Sequence, residues 1–178
     1  MSYYSGHFIP TNPKKYVGDI NSIKYRSIWE RNAMRWCDEN PNVEEWSSEE
    51  IVVRYQNPVK GGTSQYFPDL FLRMVDGVMR IIEIKPKVQT QPPKPQQRKT
   101  KQYINEVATW AINTEKWKAA RELAARNNLT FEIWTEDTLT QMGISTTATG
   151  AQRMQKAERA KPKLIPIRRK VQRPKRRS

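Results

Sequence analysis

Two carboxylates and one ammonium stand at spacings that suit phosphate chemistry. Asp69 follows Pro68, and fourteen residues later comes Glu83-Ile84-Lys85. Side chains alternate faces along a strand, so Glu83 and Lys85 project from one side, about 7 Å apart. Asp69 opens the neighbouring strand. Asp69, Glu83 and the Ile84 carbonyl are hard oxygen donors of the kind Mg²⁺ takes, with Mn²⁺ as a substitute. Such an ion lowers the pKa of bound water and stabilises charge on a phosphoryl oxygen. Lys85 would position the nucleophile and offset developing negative charge. Glu30 is a third candidate acid, placed to support the metal shell through water. The chain has one His (His7) and one Cys (Cys37). His-based nuclease sites, zinc deaminase sites and Ser-His-Asp triads therefore do not fit.

These residues also admit plainer readings. Ser27-x-x-Glu30 has capping-box spacing, so Glu30 can serve only a helix start. Asp69 after Pro68 can be a turn residue. Glu83 and Lys85 can be a solvated strand face. Against that, Ile81, Ile82 and Ile84 surround Glu83 with apolar side chains, which marks the strand as central. A charge on a central strand requires an explanation.

The elements that would position these groups can be read in order. Trp29, Ala33, Trp36 and Cys37 make an apolar stripe, which predicts a helix over residues 26–40, ended by Asn40-Pro41. Ile51–Tyr55 reads as a strand, and Asn57-Pro58 with Gly61-Gly62 as a turn. Asp69–Met74 and Val78–Lys85 read as a hairpin around Asp76-Gly77. A two-residue loop there would set Asp69 opposite Ile84 and split the two acids between faces. A three-residue loop, Val75-Asp76-Gly77 with Gly77 left-handed, sets Asp69 opposite Glu83. A bulge beside Pro68 would do the same. The shared site therefore requires one of these two devices.

Beyond a proline-rich connector (Pro86–Pro95), Tyr103, Val107, Trp110 and Ala111 predict a helix. Thr114 is a candidate cap for a second helix bearing Trp117, Ala120 and Ala124. Leu129–Trp134 is a candidate strand, and Glu136–Met142 a short helix stopped by Gly143. This order predicts an α/β sandwich with a central mixed sheet flanked by helices. Trp29, Trp36, Trp110 and Trp117 read as core, Trp46 and Trp134 are open, and His7 and Cys37 read as structural.

Of the 178 residues, 32 are Lys or Arg and 18 are Asp or Glu, a net charge of +14. Residues 151–178 carry +11 of it, so the body is nearly neutral and the tail is a basic appendage. Residues 151–161 suit a short basic helix. Lys161, Lys163, Arg168, Arg169, Lys170, Arg173, Lys175, Arg176 and Arg177, with three prolines among them, cannot form a packed core. They suit double-stranded DNA phosphates, or an acidic protein surface. No apolar run is long enough for a membrane span, and the N-terminus lacks the order of a secretory signal. The domain boundaries expected are a 1–22 N-terminal loop segment, a 23–145 domain and a 146–178 basic extension.

Several blocks resemble a known family. Ser27-Ile28-Trp29-Glu30-Arg31, Asn40-Pro41-Asn42-Val43, Phe67-Pro68-Asp69-Leu70-Phe71 and Ile82-Glu83-Ile84-Lys85-Pro86 resemble the PD-(D/E)xK nuclease superfamily, in particular the TnsA-type transposon endonucleases. Ser5-Gly6-His7-Phe8-Ile9-Pro10, Thr90-Gln91-Pro92-Pro93, Asn105–Trp110, Asn113–Lys118 and Thr135-Glu136-Asp137 extend the similarity to the head-completion nucleases of T-even-like tailed phages, over about residues 1–143. The resemblance implies a restriction-endonuclease-like core and a Mg²⁺-dependent deoxyribonuclease. It also implies action in head completion and head–tail joining, trimming or finishing the packaged DNA end. The implied partners are duplex DNA and the portal and neck proteins. The implied place is the host cytoplasm during assembly, then the virion neck. It carries Glu30 onto the helical acid, Asp69 onto the PD acid, and Glu83 and Lys85 onto the E-x-K pair. The basic extension departs from the family pattern. A non-catalytic neck component with a nuclease-like fold, or a transposon-end endonuclease, remains an alternative.

Overall fold

The computed structural model describes residues 4–148. The basic tail from Lys161 to Arg177, and the helix expected over 151–161, lie outside the described residues.

Among the described residues, eight strands and three α-helices follow one another: β1 (Gly6–His7), β2 (Lys24–Tyr25), α1 (Ile28–Glu39), β3 (Val43–Ser48), β4 (Val53–Gln56), β5 (Thr63–Tyr66), β6 (Leu70–Met74), β7 (Met79–Ile84), α2 (Lys101–Arg126), β8 (Thr130–Trp134) and α3 (Glu136–Gln141). The central sheet has the order β3-β6-β7-β8. Its first two pairings are antiparallel and β7–β8 is parallel. This is the mixed sheet expected. β4 and β5 form a separate hairpin, and β1 and β2 a second small pair.

Strand alternation separates the two faces of the sheet. Leu70, Leu72, Ile82, Ile84 and Trp134 join Ala33, Met34 and Cys37 of α1 in one core. Phe131 packs on the opposite side, in a core of Val53, Tyr55, Tyr66 and Ala120 with Ile112 and Leu123 of α2. The sheet is thus covered by α1 on one face, and by α2 with the β4–β5 hairpin on the other. Ile81, Ile82, Glu83 and Ile84 are all buried, as a strand covered on both faces must be. Trp46 and Trp134, left open by the sequence, are core residues, and Cys37 is fully buried.

The N-terminal segment is tied into this core. Tyr16 and Phe8 pack edge-on against Trp46, with ring centroids 4.8 and 5.6 Å apart. The Asp38 carboxylate accepts from the backbone N–H of Thr11 at 2.7 Å and of Asn12 at 3.1 Å. Lys15 donates to the carbonyls of Cys37, Asp38 and Asn40 at 3.0, 2.9 and 2.7 Å. An ammonium there satisfies the last carbonyls of α1 and opposes its dipole.

Three features differ from the sequence reading. β3, Val43-Glu44-Glu45-Trp46-Ser47-Ser48, is a strand that composition conceals. Its acids lie on an edge strand, where charge is tolerated, and pair with Arg73 of β6 at 3.2 and 2.7 Å. β5 was hidden likewise by polar Thr63-Ser64-Gln65. The third is α2, which runs unbroken from Lys101 to Arg126. Thr114 caps nothing: its hydroxyl donates to the Trp110 carbonyl at 2.9 Å, inside the helix. Thr100 supplies the cap instead, accepting from the Tyr103 N–H. Among the described residues, no helix is long and apolar enough to cross a membrane.

Candidate active site

The β6–β7 turn sets the register of the site. The Met74 N–H bonds the Val78 carbonyl at 2.9 Å, enclosing the three-residue loop Val75-Asp76-Gly77. Gly77 has φ +85°, a left-handed conformation that costs glycine little. This is the first of the two devices the sequence required. The ladder runs Arg73↔Met79 to Leu70↔Ile82. One step further it brings Asp69 level with Glu83.

Alternation then assigns faces. Ile82 and Ile84 point toward α1, so Glu83 and Lys85 point toward α2 and the β4–β5 hairpin. Asp69 alternates with Leu70 and shares their side. Its Oδ2 accepts from the Ile84 N–H at 2.6 Å, which clamps the carboxylate to the end of β7. Glu83, only 4% exposed, has a partner at each oxygen. Oε1 meets the Lys85 ammonium at 2.9 Å, and Oε2 accepts from the Tyr66 hydroxyl at 2.5 Å.

The electrostatics follow from this crowding. Asp69 is pushed well above the ordinary carboxylate range, first by burial and then by the Glu83 charge, with Glu30 adding to it. Lys85 and the Ile84 N–H act the other way but do not win. Burial draws Lys85 down, but the charges of Glu83 and Asp69 outweigh it and hold the group raised. Tyr66 is pushed up by burial and by Glu83, so its hydroxyl stays a donor.

Glu30 is placed differently. It lies in the first turn of α1, the helix on the opposite face. Its Oε1 accepts from the Ser27 hydroxyl at 2.9 Å and its Oε2 from the Arg26 N–H at 2.7 Å. Ser27 Oγ in turn accepts from the Glu30 N–H at 3.1 Å. The capping arrangement is therefore formed. Glu30 is near enough to act on Asp69 and Lys85 through its charge. Among the described residues, however, no three His, Cys, Asp or Glu side chains form a group able to hold one metal ion. Arg26, beside Glu30, pairs with Glu49.

Two residues at the site escape sequence reasoning. Tyr66 sits three residues before Asp69, as the inward-facing end of a strand too polar to recognise. Lys116 lies on α2 with its Nζ 5.3 Å from the centre of the Tyr66 ring and 5.8 Å from that of Tyr55. Nothing in local sequence marks either, since both are defined by packing across elements.

Residues 40–136 match the TnsA-like endonuclease N-terminal family. The chain belongs to that endonuclease family. The matched stretch includes Asp69, Glu83 and Lys85, while Glu30 precedes it. The chain is also 44% identical to the head completion nuclease of Enterobacteria phage T4 over 145 residues, covering 79% of this chain and 97% of the relative. No solved structure matches the chain. The domain is thus a nuclease domain of mixed α/β architecture, in keeping with the PD-(D/E)xK resemblance.

The donor set fits a divalent ion. Asp69 and Glu83 are two neighbouring carboxylates, one half-buried and one buried, with an ammonium paired to Glu83. Burial and the neighbouring Glu83 charge penalise the charged form of Asp69. A hard cation bound to both carboxylates would relieve that penalty.

Proposed function

We propose that this TnsA-like nuclease hydrolyses DNA phosphodiester bonds with Mg²⁺, Mn²⁺ serving as a substitute. We assign it to phage head completion, trimming or finishing the packaged DNA end where the head meets the tail. The observation that carries the hydrolytic reading is Asp69 set level with Glu83, with Lys85 2.9 Å from Glu83. The name of the T4 relative supports the head-completion role, and the neck location and the portal and neck partners are part of the same proposal.

Asp69, Glu83 and the Ile84 carbonyl would hold the ion, with Glu30 reaching it only through water. When bound, the ion supplies Lewis acidity toward water and phosphate. Lys85 keeps its proton, because Glu83 and Asp69 outweigh the burial that would remove it. A permanently charged ammonium there offsets negative charge as the phosphate oxygens gain it. Tyr66 fixes Glu83 by donating to Oε2, which leaves the orientation of Oε1 to Lys85. The Ile84 N–H holds Asp69 in the same way. Both acids are thus pre-positioned before substrate arrives, so little reorganisation accompanies the reaction. The basic tail, Lys161 to Arg177, would hold duplex DNA through its phosphates.

The test compares the intact protein with Asp69→Ala and Glu83→Ala on linear and circular duplex DNA, across Mg²⁺ and Mn²⁺ titrations. The expected result is metal-dependent cleavage by the intact protein, none by either variant, and DNA binding retained by both. An intact protein inert under all these conditions refutes the reading.

A further inference from the structure

Lys116 occupies a position where the helix demands an apolar side chain. Ile112, Ala119, Ala120 and Leu123 make the stripe of α2 that packs on Val53, Tyr55 and Tyr66. Lys116 is four residues from Ile112 and four from Ala120, on the same face. An ammonium held in such a stripe loses hydration and needs acceptors in return. Yet among the described residues Lys116 makes no hydrogen bond and no ion pair. Its Nζ rests on the faces of Tyr66 and Tyr55, at 5.3 and 5.8 Å from the ring centres. Ring faces attract a cation but do not use its three N–H donors.

The direction in which those donors are presented matters. The Tyr66 ring that supports Lys116 carries the hydroxyl bonded to Glu83. Lys116 feels the charges of Glu83, Asp69 and Lys85 without bonding to any of them. Lys85, by contrast, already donates to Glu83 at 2.9 Å. The site thus contains two ammoniums, one committed to a carboxylate and one with its donors unused. We propose that Lys116 contacts a phosphate of bound DNA at the cleavage site, with the Tyr55 and Tyr66 ring faces holding its ammonium in place. This rests on the nuclease reading and extends it with a substrate-binding residue from α2. The rings make the ammonium rigid before DNA arrives, and the phosphate oxygens supply the missing acceptors. The competing role for Lys116 is a counter-charge to Asp69 and Glu83 with no contact to DNA.

The experiment measures binding of the full chain to duplex DNA in EDTA, across a series of salt concentrations. Each phosphate contact contributes about 0.9 to the log–log salt slope. Lys116→Met keeps the stem volume and suits the apolar stripe, while Lys116→Arg keeps the charge. Lys116→Met is expected to weaken binding about tenfold and to flatten the slope by about 0.9. Lys116→Arg is expected to keep the wild-type slope. A Lys116→Met protein that binds with unchanged slope and affinity overturns the proposal, as does an equal flattening in both variants. Thermal melts of each variant establish folding, and Lys116→Gln replaces any that fails to fold. Metal-dependent cleavage by the intact protein is scored in parallel. If it cleaves but Lys116→Met leaves the slope unchanged, this inference fails and the nuclease reading stands. If it does not cleave, the nuclease reading fails, whatever the slope.

Discussion

The bond between Tyr66 and Glu83 offers the sharpest test of how the site is held. Tyr66→Phe removes one hydroxyl and leaves the ring. Packing against Val53, Tyr55 and Ala120 is kept, and so is the ring face under Lys116. What goes is a 2.5 Å donor to Oε2 of a carboxylate that is 4% exposed. Water cannot easily replace it there. A hydrogen bond to a charged group contributes about 1.5–3 kcal/mol, and its loss leaves that oxygen short of a donor. For a chain of this size, about 1 kcal/mol moves the melting temperature by about 2–4 °C, so the expected fall is about 3–12 °C. The assay is thermal and urea unfolding in EDTA, so that no cation masks the carboxylate. Glu83→Gln and the double variant complete a cycle whose coupling should fall within the same 1.5–3 kcal/mol, about. DNA cleavage should drop as well, because Glu83 would keep only Lys85 to orient it. A Tyr66→Phe protein within about 0.5 kcal/mol of wild type, a change typical of neutral surface sites, would refute the reasoning.

Asp69→Asn should abolish cleavage yet leave the metal-free protein as stable as wild type or more so, since amide oxygen can still accept from the Ile84 N–H. Asp69 is raised above its ordinary value near 3.8. Its contribution is therefore fully present below that pH and lost as pH rises through the elevated folded value. Melts in EDTA should show wild type losing stability over that rise and Asp69→Asn losing less; parallel curves would count against the crowded-carboxylate account. Gly77→Ala meets no atom within 4 Å, so its cost is backbone strain alone. With φ at +85° this should be about 1–2 kcal/mol, read by urea unfolding, and a neutral result would mean that the turn does not set the register.

Much of the site could be read along the chain because its geometry is local. Asp69 and Glu83 lie on adjacent strands of one hairpin, so period-two alternation and a turn of known length place them together. Gly77 announced the turn, and Ile81, Ile82 and Ile84 announced a central strand. The helix start at Ser27 was legible for the same reason, being a pattern within four residues. Glu30 was harder. Its spacing supported both a cap and a metal-shell role, and only the structure shows the cap bonds formed and the residue placed on the opposite layer.

What the sequence determines by itself is the chemistry available and the local frame: a pair of acids, a lysine two residues on, no usable histidine, and the hairpin that aligns them. Tertiary structure decided which side chains close the site. Tyr66 comes from a strand too polar to recognise, and Lys116 from the helix that covers the same face of the sheet. β3 was invisible because its acids are stabilised by Arg73 on a neighbouring strand, not by anything in its own segment. Thr114 looked like a helix start until the continuous packing of α2 carried the helix through it. In each case the deciding energy is a contact between residues far apart in the chain. Such contacts leave no periodicity behind, and appear only when the layers pack.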